Sequence, residues 1–141
     1  MKKKTEYTLI DHTADYGFTL CAESPEELFA NAALALTDLM LGDSPVEPRL
    51  KHRIEVEGED RTDLMVNWLR EILFLFAGEG EAFSHAEVET AEESFLCATV
   101  YTEAYDPEKH EILEEIKAVT YHQARVEQTD GGWECQVICD V

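Results

Sequence analysis

The sequence predicts an α+β domain in which two helices pack on a mixed or antiparallel β-sheet. Three observations lead there. Two stretches repeat apolar residues at helical spacing, several shorter stretches alternate apolar and polar residues as half-buried strands do, and a Thr129-Asp130-Gly131-Gly132 run makes a hairpin signal near the end. No linker, repeat or low-complexity tract divides the 141 residues, so one domain spans 1–141. A chain of this size buries roughly two-thirds of its unfolded surface, enough for a core of its own.

Taken in order, Tyr7 to Ile10 reads as the first strand, followed by a polar turn, Asp11-His12-Thr13-Ala14-Asp15. Phe18, Leu20 and Ala22 alternate with Gly17, Thr19 and Cys21 in a second strand. Ser24, Pro25 and Glu27 then supply an N-cap, a first-turn proline and the far half of a capping box. Leu28, Ala32, Ala35 and Leu39 continue that helix as a stripe, with Phe29, Ala33, Leu36 and Met40 beside it, and Gly42 ends it. Asp43 to Pro48 is a loop bracketed by prolines.

Leu50, His52, Ile54 and Val56 alternate with charged residues in a third strand. His52 takes an inward position there, which reads as a hydrogen-bonded core or edge histidine rather than a ligand. After the turn Gly58-Glu59-Asp60, a second helix runs from about Thr62 to Ala77 on Leu64, Met65, Trp68, Leu69, Ile72, Leu73 and Phe76. Phe83–Thr90 and Phe95–Tyr105 are strands around Ala91-Glu92-Glu93. Asp106 to Lys109 interrupts the pattern; Lys117–Val126 and Trp133–Val141 are the last two strands.

Charge excludes more than it identifies. The chain carries 31 Asp and Glu against 11 Lys and Arg, a formal net charge of -20. Such a field repels phosphate backbones, whose affinity for proteins rests on Lys and Arg displacing counterions. Direct nucleic-acid binding is therefore not expected, and a basic protein partner or a divalent cation suits the field better. Solubility alone also accounts for an acidic surface. Cys21, Cys97, Cys135 and Cys139 form no C-x-x-C pair, so they read as buried free thiols of a reducing compartment. The MKKKTEYTL start has no apolar run suited to a signal peptide, and no stretch reaches the roughly 20 apolar residues of a membrane span. A cytoplasmic protein with no membrane association is expected.

Chemistry has three places to sit. Asp11-His12-Thr13-Ala14-Asp15 offers two carboxylates and an imidazole in five residues. That pattern suits either a hard divalent cation or a turn whose acids satisfy backbone N–H groups. Lys117, with Tyr121 and His122 close behind, either neutralises acids, holds a phosphate oxygen or guards a sheet edge. Asp140 follows the apolar run Val137-Ile138-Cys139, where an acid needs a partner or a cation, and the α-carboxylate of Val141 lies beside it. Phosphate-loop, dinucleotide, zinc-protease and nucleophile-elbow motifs are all lacking, and Ser24, Ser44, Ser84 and Ser94 have no nucleophile context.

These same residues resemble the archease family. Asp11-His12-Thr13-Ala14-Asp15 is similar to its N-terminal signature, and Ser24 to Phe29 with Asn31 to Ala35 is similar to its first helix. Trp68-Leu69-Arg70-Glu71 resembles its second helix, Lys117 to His122 its KAVTYH block, and Ile138 to Val141 its closing strand. The resemblance implies an accessory protein, not an enzyme, that acts with the GTP- and metal-dependent RNA-splicing ligase. Such proteins promote guanylylation of that ligase and its repeated turnover in tRNA splicing and RNA repair. It further implies a divalent metal, calcium or else magnesium or manganese, with Asp15, Asp140 and Val141 as ligand candidates. Lys117 and His12 become candidates for assisting activation, with Asp11 and Tyr121 orienting the metal's ligands. A stand-alone metal-dependent phosphoesterase and a general chaperone or interaction module are the alternatives.

Overall fold

The computed structural model describes residues 6–12 and 15–141, the side chains of Asp11, His12 and Asp15 excepted. Within them lie two helices and eight strands: β1 (Thr8–His12), β2 (Asp15–Ala22), α1 (Pro25–Leu41), β3 (Leu50–Glu57), α2 (Arg61–Ala77), β4 (Glu81–Ala91), β5 (Phe95–Ala104), β6 (Ala118–Val119), β7 (Arg125–Thr129) and β8 (Gly132–Asp140). The strands form two sheets. One has the order β1-β2-β8-β6, with β7 also on β8, and the other the order β3-β5-β4. Every pairing among the described residues is antiparallel.

The expected α+β class holds, and the antiparallel alternative is the one realised. The division into two sheets follows from how the helices are used. Each helix meets strands of both sheets, so each is covered on two sides. Their buried positions accordingly spread well beyond a single stripe: Leu28, Phe29, Ala32, Ala33, Leu36 and Met40 on α1, and Leu64, Val66, Trp68, Leu69, Ile72 and Leu75 on α2. At the centre the buried Trp68 indole donates through Nε1 to the Phe29 carbonyl oxygen at 2.8 Å, joining the two helices. A buried indole with its N–H satisfied contributes its full apolar area without an orphaned donor.

Local chemistry sets the ends. Ser24 Oγ accepts from the Glu27 backbone N–H at 3.2 Å, as the capping pattern requires. At α2 the cap is Asp60, whose Oδ1 accepts from the Asp63 N–H at 2.8 Å, while Asp63 Oδ2 accepts from the Glu59 N–H at 2.9 Å. This reciprocal arrangement starts the helix at Arg61, one residue before the expected Thr62. Gly42 closes α1 at φ 59°, a left-handed conformation that suits glycine.

Two expectations need correcting. Asp11, His12 and Asp15 are strand residues rather than turn residues, because the β1–β2 ladder runs on through Asp11↔Tyr16 to His12↔Asp15. The strand expected over Lys117–Val126 is broken into β6 and β7. Thr120 Oγ1 donates to the Ile138 carbonyl at 2.9 Å, and Gln123 adopts φ 51°. The chain leaves the β8 ladder after Val119 and rejoins it at Arg125.

Candidate functional site

One end of the five-stranded sheet collects the residues singled out by sequence. Tyr16 of β2 pairs with Cys139 of β8, and Ala118 of β6 pairs with Asp140. Continuing the first register by one step sets Asp15 beside Asp140. On the other side, the Lys117 backbone N–H donates to the Asp140 carbonyl oxygen at 2.8 Å. Three strands distant in sequence thus bring Asp15, Asp140 and Lys117 to neighbouring backbone positions.

The close spacing of β2 and β8 here depends on glycine. A Cβ on Gly17 would lie 1.9 Å from the Val137 carbonyl oxygen, so a larger residue would force the strands apart next to Asp15 and Asp140. Burial secures the base of the site. Val137, Ile138 and Cys139 are buried, whereas Lys117, Asp140 and Val141 are exposed. An apolar strand ending in a solvated acid leaves that acid able to bind without the desolvation penalty of a buried one.

Among the described residues, the side chains of Lys117 and Asp140 enter no hydrogen bond or ion pair. The side chains of Asp11, His12 and Asp15 lie outside the described residues, so their proposed roles are located only by strand register. Within the described residues, no group of three or more His, Cys, Asp and Glu is arranged to hold a metal. The donor chemistry nonetheless fits a hard cation. Asp140 supplies exposed carboxylate oxygens, and the register adds Asp15 as its neighbour.

Tyr121 is engaged elsewhere. Its hydroxyl donates to Asp63 Oδ1 at 2.5 Å, and the Arg70 guanidinium lies 4.9 Å from its ring centroid. The bond from Tyr121 holds the Asp63 carboxyl below the usual carboxylate range, and Asp63 in turn pushes the Tyr121 phenol up. Tyr121 therefore props the irregular segment between β6 and β7 against the start of α2, and its hydroxyl is not turned to Asp140.

Arg70 is the residue that sequence reasoning passed over. Its Nε donates to the Val119 carbonyl at 3.1 Å, and with Lys117 it lines an open hollow of about 330 Å³. The Trp68-Leu69-Arg70-Glu71 block contained the signal: a cation four residues before Phe74, on a helix otherwise rich in apolar residues.

The thiols do not contribute here. Cys139 is pushed up to about 12, by burial first and then by the charge of Asp140. Burial likewise raises Cys135 to about 12. Protonated thiols are poor metal ligands and nucleophiles. Cys97 is also buried, but Cys21 is exposed, which corrects the expectation of four buried thiols. Cys21 lies on β2, where its Sγ reaches Glu134 Oε2 at 3.6 Å. His52 is as expected: its Nε2 is 2.6 Å from Glu81 Oε1, a carboxylate that Thr102 also contacts at 2.6 Å.

Comparison with known proteins covers the whole arrangement. The model of the Archease protein family (MTH1598/TM1083) matches residues 7–141. A protein archease of Methanopyrus kandleri is 42% identical over 135 residues, covering 94% of this chain and 96% of that one. One from Pyrococcus abyssi is 41% identical over 145 residues, covering both chains fully at 100%. The solution structure of Methanobacterium thermoautotrophicum protein 1598 superposes with a TM-score of 0.77 at 34% identity, over 96% of this chain and 98% of that one. A crystal structure from Thermotoga maritima, of an archease described as a possible chaperone, shares the fold at a TM-score of 0.63 and 21% identity, over 100% of this chain and 98% of that one.

Proposed function

The chain belongs to the archease protein family, whose members are accessory proteins rather than enzymes, and from that premise we propose that it activates a GTP- and metal-dependent RNA-splicing ligase. The observation that carries the reading is the convergence of Asp15, Lys117 and Asp140 at one sheet end. An enzyme would need a nucleophile or general base held in a cleft. Here Lys117 and Asp140 are exposed, where a second protein can reach them.

In this reading the tip meets the ligase where nucleotide and metal are bound. The net charge of -20 favours approach to a protein whose surface is basic enough to hold RNA. Asp15 and Asp140 would hold a divalent cation through carboxylate oxygens, with Val141 adding an oxygen. The cation supplies charge neutralisation for phosphate oxygens. Lys117, with Arg70 nearby, supplies a compact positive charge against the same class of group. Asp11 and His12, at the paired end of β1, would orient the acids in this reading. The protein itself makes no direct grip on RNA, and its work is done in the cytoplasm with its partner.

Multiple-turnover ligation by the purified ligase, with Asp15→Ala, Lys117→Ala and Asp140→Ala proteins added in turn, tests the assignment. Each variant should keep its circular dichroism spectrum and lose at least tenfold in stimulation. If all three stimulate like the parent, these residues are not the site.

The alternative of a general chaperone draws on the exposed apolar side chains Phe74, Ile112 and Leu113. Suppression of aggregation across unrelated clients, indifferent to Asp15 and Asp140, would favour it.

A further inference from the structure

The pleat of β6 divides this end of the sheet into two faces. Partners in an antiparallel ladder turn their side chains to the same face, and successive residues turn theirs to opposite faces. Val119 pairs with Cys139, and both are buried in the core on the side where α2 packs. Ala118 pairs with Asp140, so the Asp140 carboxylate projects from the face turned away from α2. Lys117, two residues before Val119, lies on the helix side, where it lines the hollow of about 330 Å³ with Arg70, Leu73, Phe74 and Val119. Asp140 and Lys117 therefore address different spaces.

The hollow is positively charged in a strongly acidic protein. With 31 Asp and Glu against 11 Lys and Arg, a cation here readily finds a carboxylate. Arg49 and Lys109 each reach Glu103 at 2.8 Å, Arg53 reaches Glu89 at 3.1 Å, and Arg125 reaches Glu127 at 2.8 Å. Arg70 and Lys117 form no ion pair among the described residues, and no Asp or Glu lines their hollow. Asp63 feels the Arg70 charge, but its two oxygens accept from the Tyr121 hydroxyl and the Glu59 N–H.

Arg70 is held ready for an anion. Its Nε donates to the Val119 carbonyl at 3.1 Å and its guanidinium carbon lies 4.9 Å from the Tyr121 ring centroid, while its terminal nitrogens enter no hydrogen bond among the described residues. A guanidinium fixed in this way offers its open fork to phosphate oxygens at little further ordering cost. Beside the two cations stands Phe74, 55% exposed, with Leu73 and Val119 completing an apolar floor. A bare anion would leave that ring in water, whereas a nucleobase covers it by stacking. The Phe74 carbonyl accepts from the Gly78 and Glu79 N–H groups at 2.7 and 3.2 Å, so it opposes an anion less than an uncapped helix end would.

We propose that this hollow binds a nucleoside phosphate, its phosphates on Arg70 and Lys117 and its base against Phe74. The choice of GTP rests on the reading of the chain as an activator of a GTP-dependent ligase. Two cations offset the net charge of -20 locally, which suffices for one nucleotide and not for a run of backbone phosphates. Asp140 faces away from the hollow, so the nucleotide binds without a divalent ion between it and the acids. Nucleotide grip and cation chemistry then belong to opposite faces of one sheet end.

Fluorescence anisotropy of a ribose-labelled GTP, titrated with the purified protein in EDTA and without ligase, tests this. The proteins compared are the parent, Lys117→Ala, Phe74→Ala, Arg70→Gln and a charge-matched control, Lys51→Ala. Lys117 and Phe74 are exposed, so their variants keep the fold, and Lys51 is exposed on β3 in the other sheet. Parent and control should bind alike, and the other three about tenfold or more weakly. Unlabelled GTP should displace the probe at about a tenth of the concentration that inorganic triphosphate requires, or less. Absence of binding by the parent, or equal binding by the parent, Lys117→Ala and Phe74→Ala, overturns the site. Displacement by triphosphate as readily as by GTP shows an anion site only and overturns the nucleotide. Ligase guanylylation measured in parallel separates the two readings. Stimulation without nucleotide binding overturns this inference alone, and binding without stimulation supports the site and overturns the activator reading.

Discussion

Glu103 is buried, and four donors converge on its carboxylate: Arg49 Nε, Lys109 Nζ, His110 Nε2 and the Glu47 backbone N–H, at 2.8, 2.8, 3.0 and 3.2 Å. His110 accepts the Asp106 N–H at Nδ1, which leaves Nε2 carrying the proton donated to Glu103. Burial raises the carboxyl, but the bonds from Lys109, Glu47, Arg49 and His110 lower it by more, to about 2. Its folded value is depressed, so the unfolded chain binds more protons between that value and the ordinary carboxylate range. The stability it contributes is therefore complete above about pH 5 and is lost as pH falls towards 2. Urea unfolding at pH 7 should show Glu103→Gln less stable by about 1–3 kcal/mol, because cations and a buried imidazole lose their acceptor. The gap between parent and variant should narrow steadily as pH drops from 5 to 3; a gap that stays constant would show that the charge of Glu103 contributes nothing.

At the level of elements, the break between β6 and β7 is held by tertiary contacts. Tyr121, in that break, ties the chain to α2 through Asp63 and Arg70. In Tyr121→Phe the Asp63 carboxyl should titrate higher than in the parent, because the hydrogen bond that chiefly lowers it is gone. Carbon-detected nuclear magnetic resonance of the Asp63 carboxyl checks this, and an unchanged titration would mean that the bond is absent in solution. The helices were legible from apolar spacing, and the ends of α1 from Ser24, Pro25 and Gly42, which act within a turn or two of chain, whereas Asp60, the cap of α2, read only as part of a turn. Most strand positions were legible from alternation. The break was not, since Tyr121, His122, Gln123 and Ala124 include no glycine or proline, and the left-handed Gln123 carries no warning in its neighbours. Nor could local patterns divide the strands between two sheets: β2 against β8 joins residues more than 100 positions apart, and such pairings are decided by burial of both helices. For the candidate site, Asp15, Lys117 and Asp140 were singled out by motif, while their meeting at one sheet end and the position of Arg70 beside Lys117 depended on tertiary contacts.

At the scale of the whole molecule, the net charge of -20 disfavours a phosphate backbone and, in the proposed reading, suits a basic protein partner that would meet the sheet end carrying Asp15, Lys117 and Asp140. No helix among the described residues is long and apolar enough to cross a membrane. The most direct measurement is guanylylation of the purified RNA-splicing ligase by labelled GTP, with and without a stoichiometric amount of this protein. Activation predicts at least a tenfold faster appearance of ligase–guanylate when the protein is present, and equal rates with and without it would contradict the account.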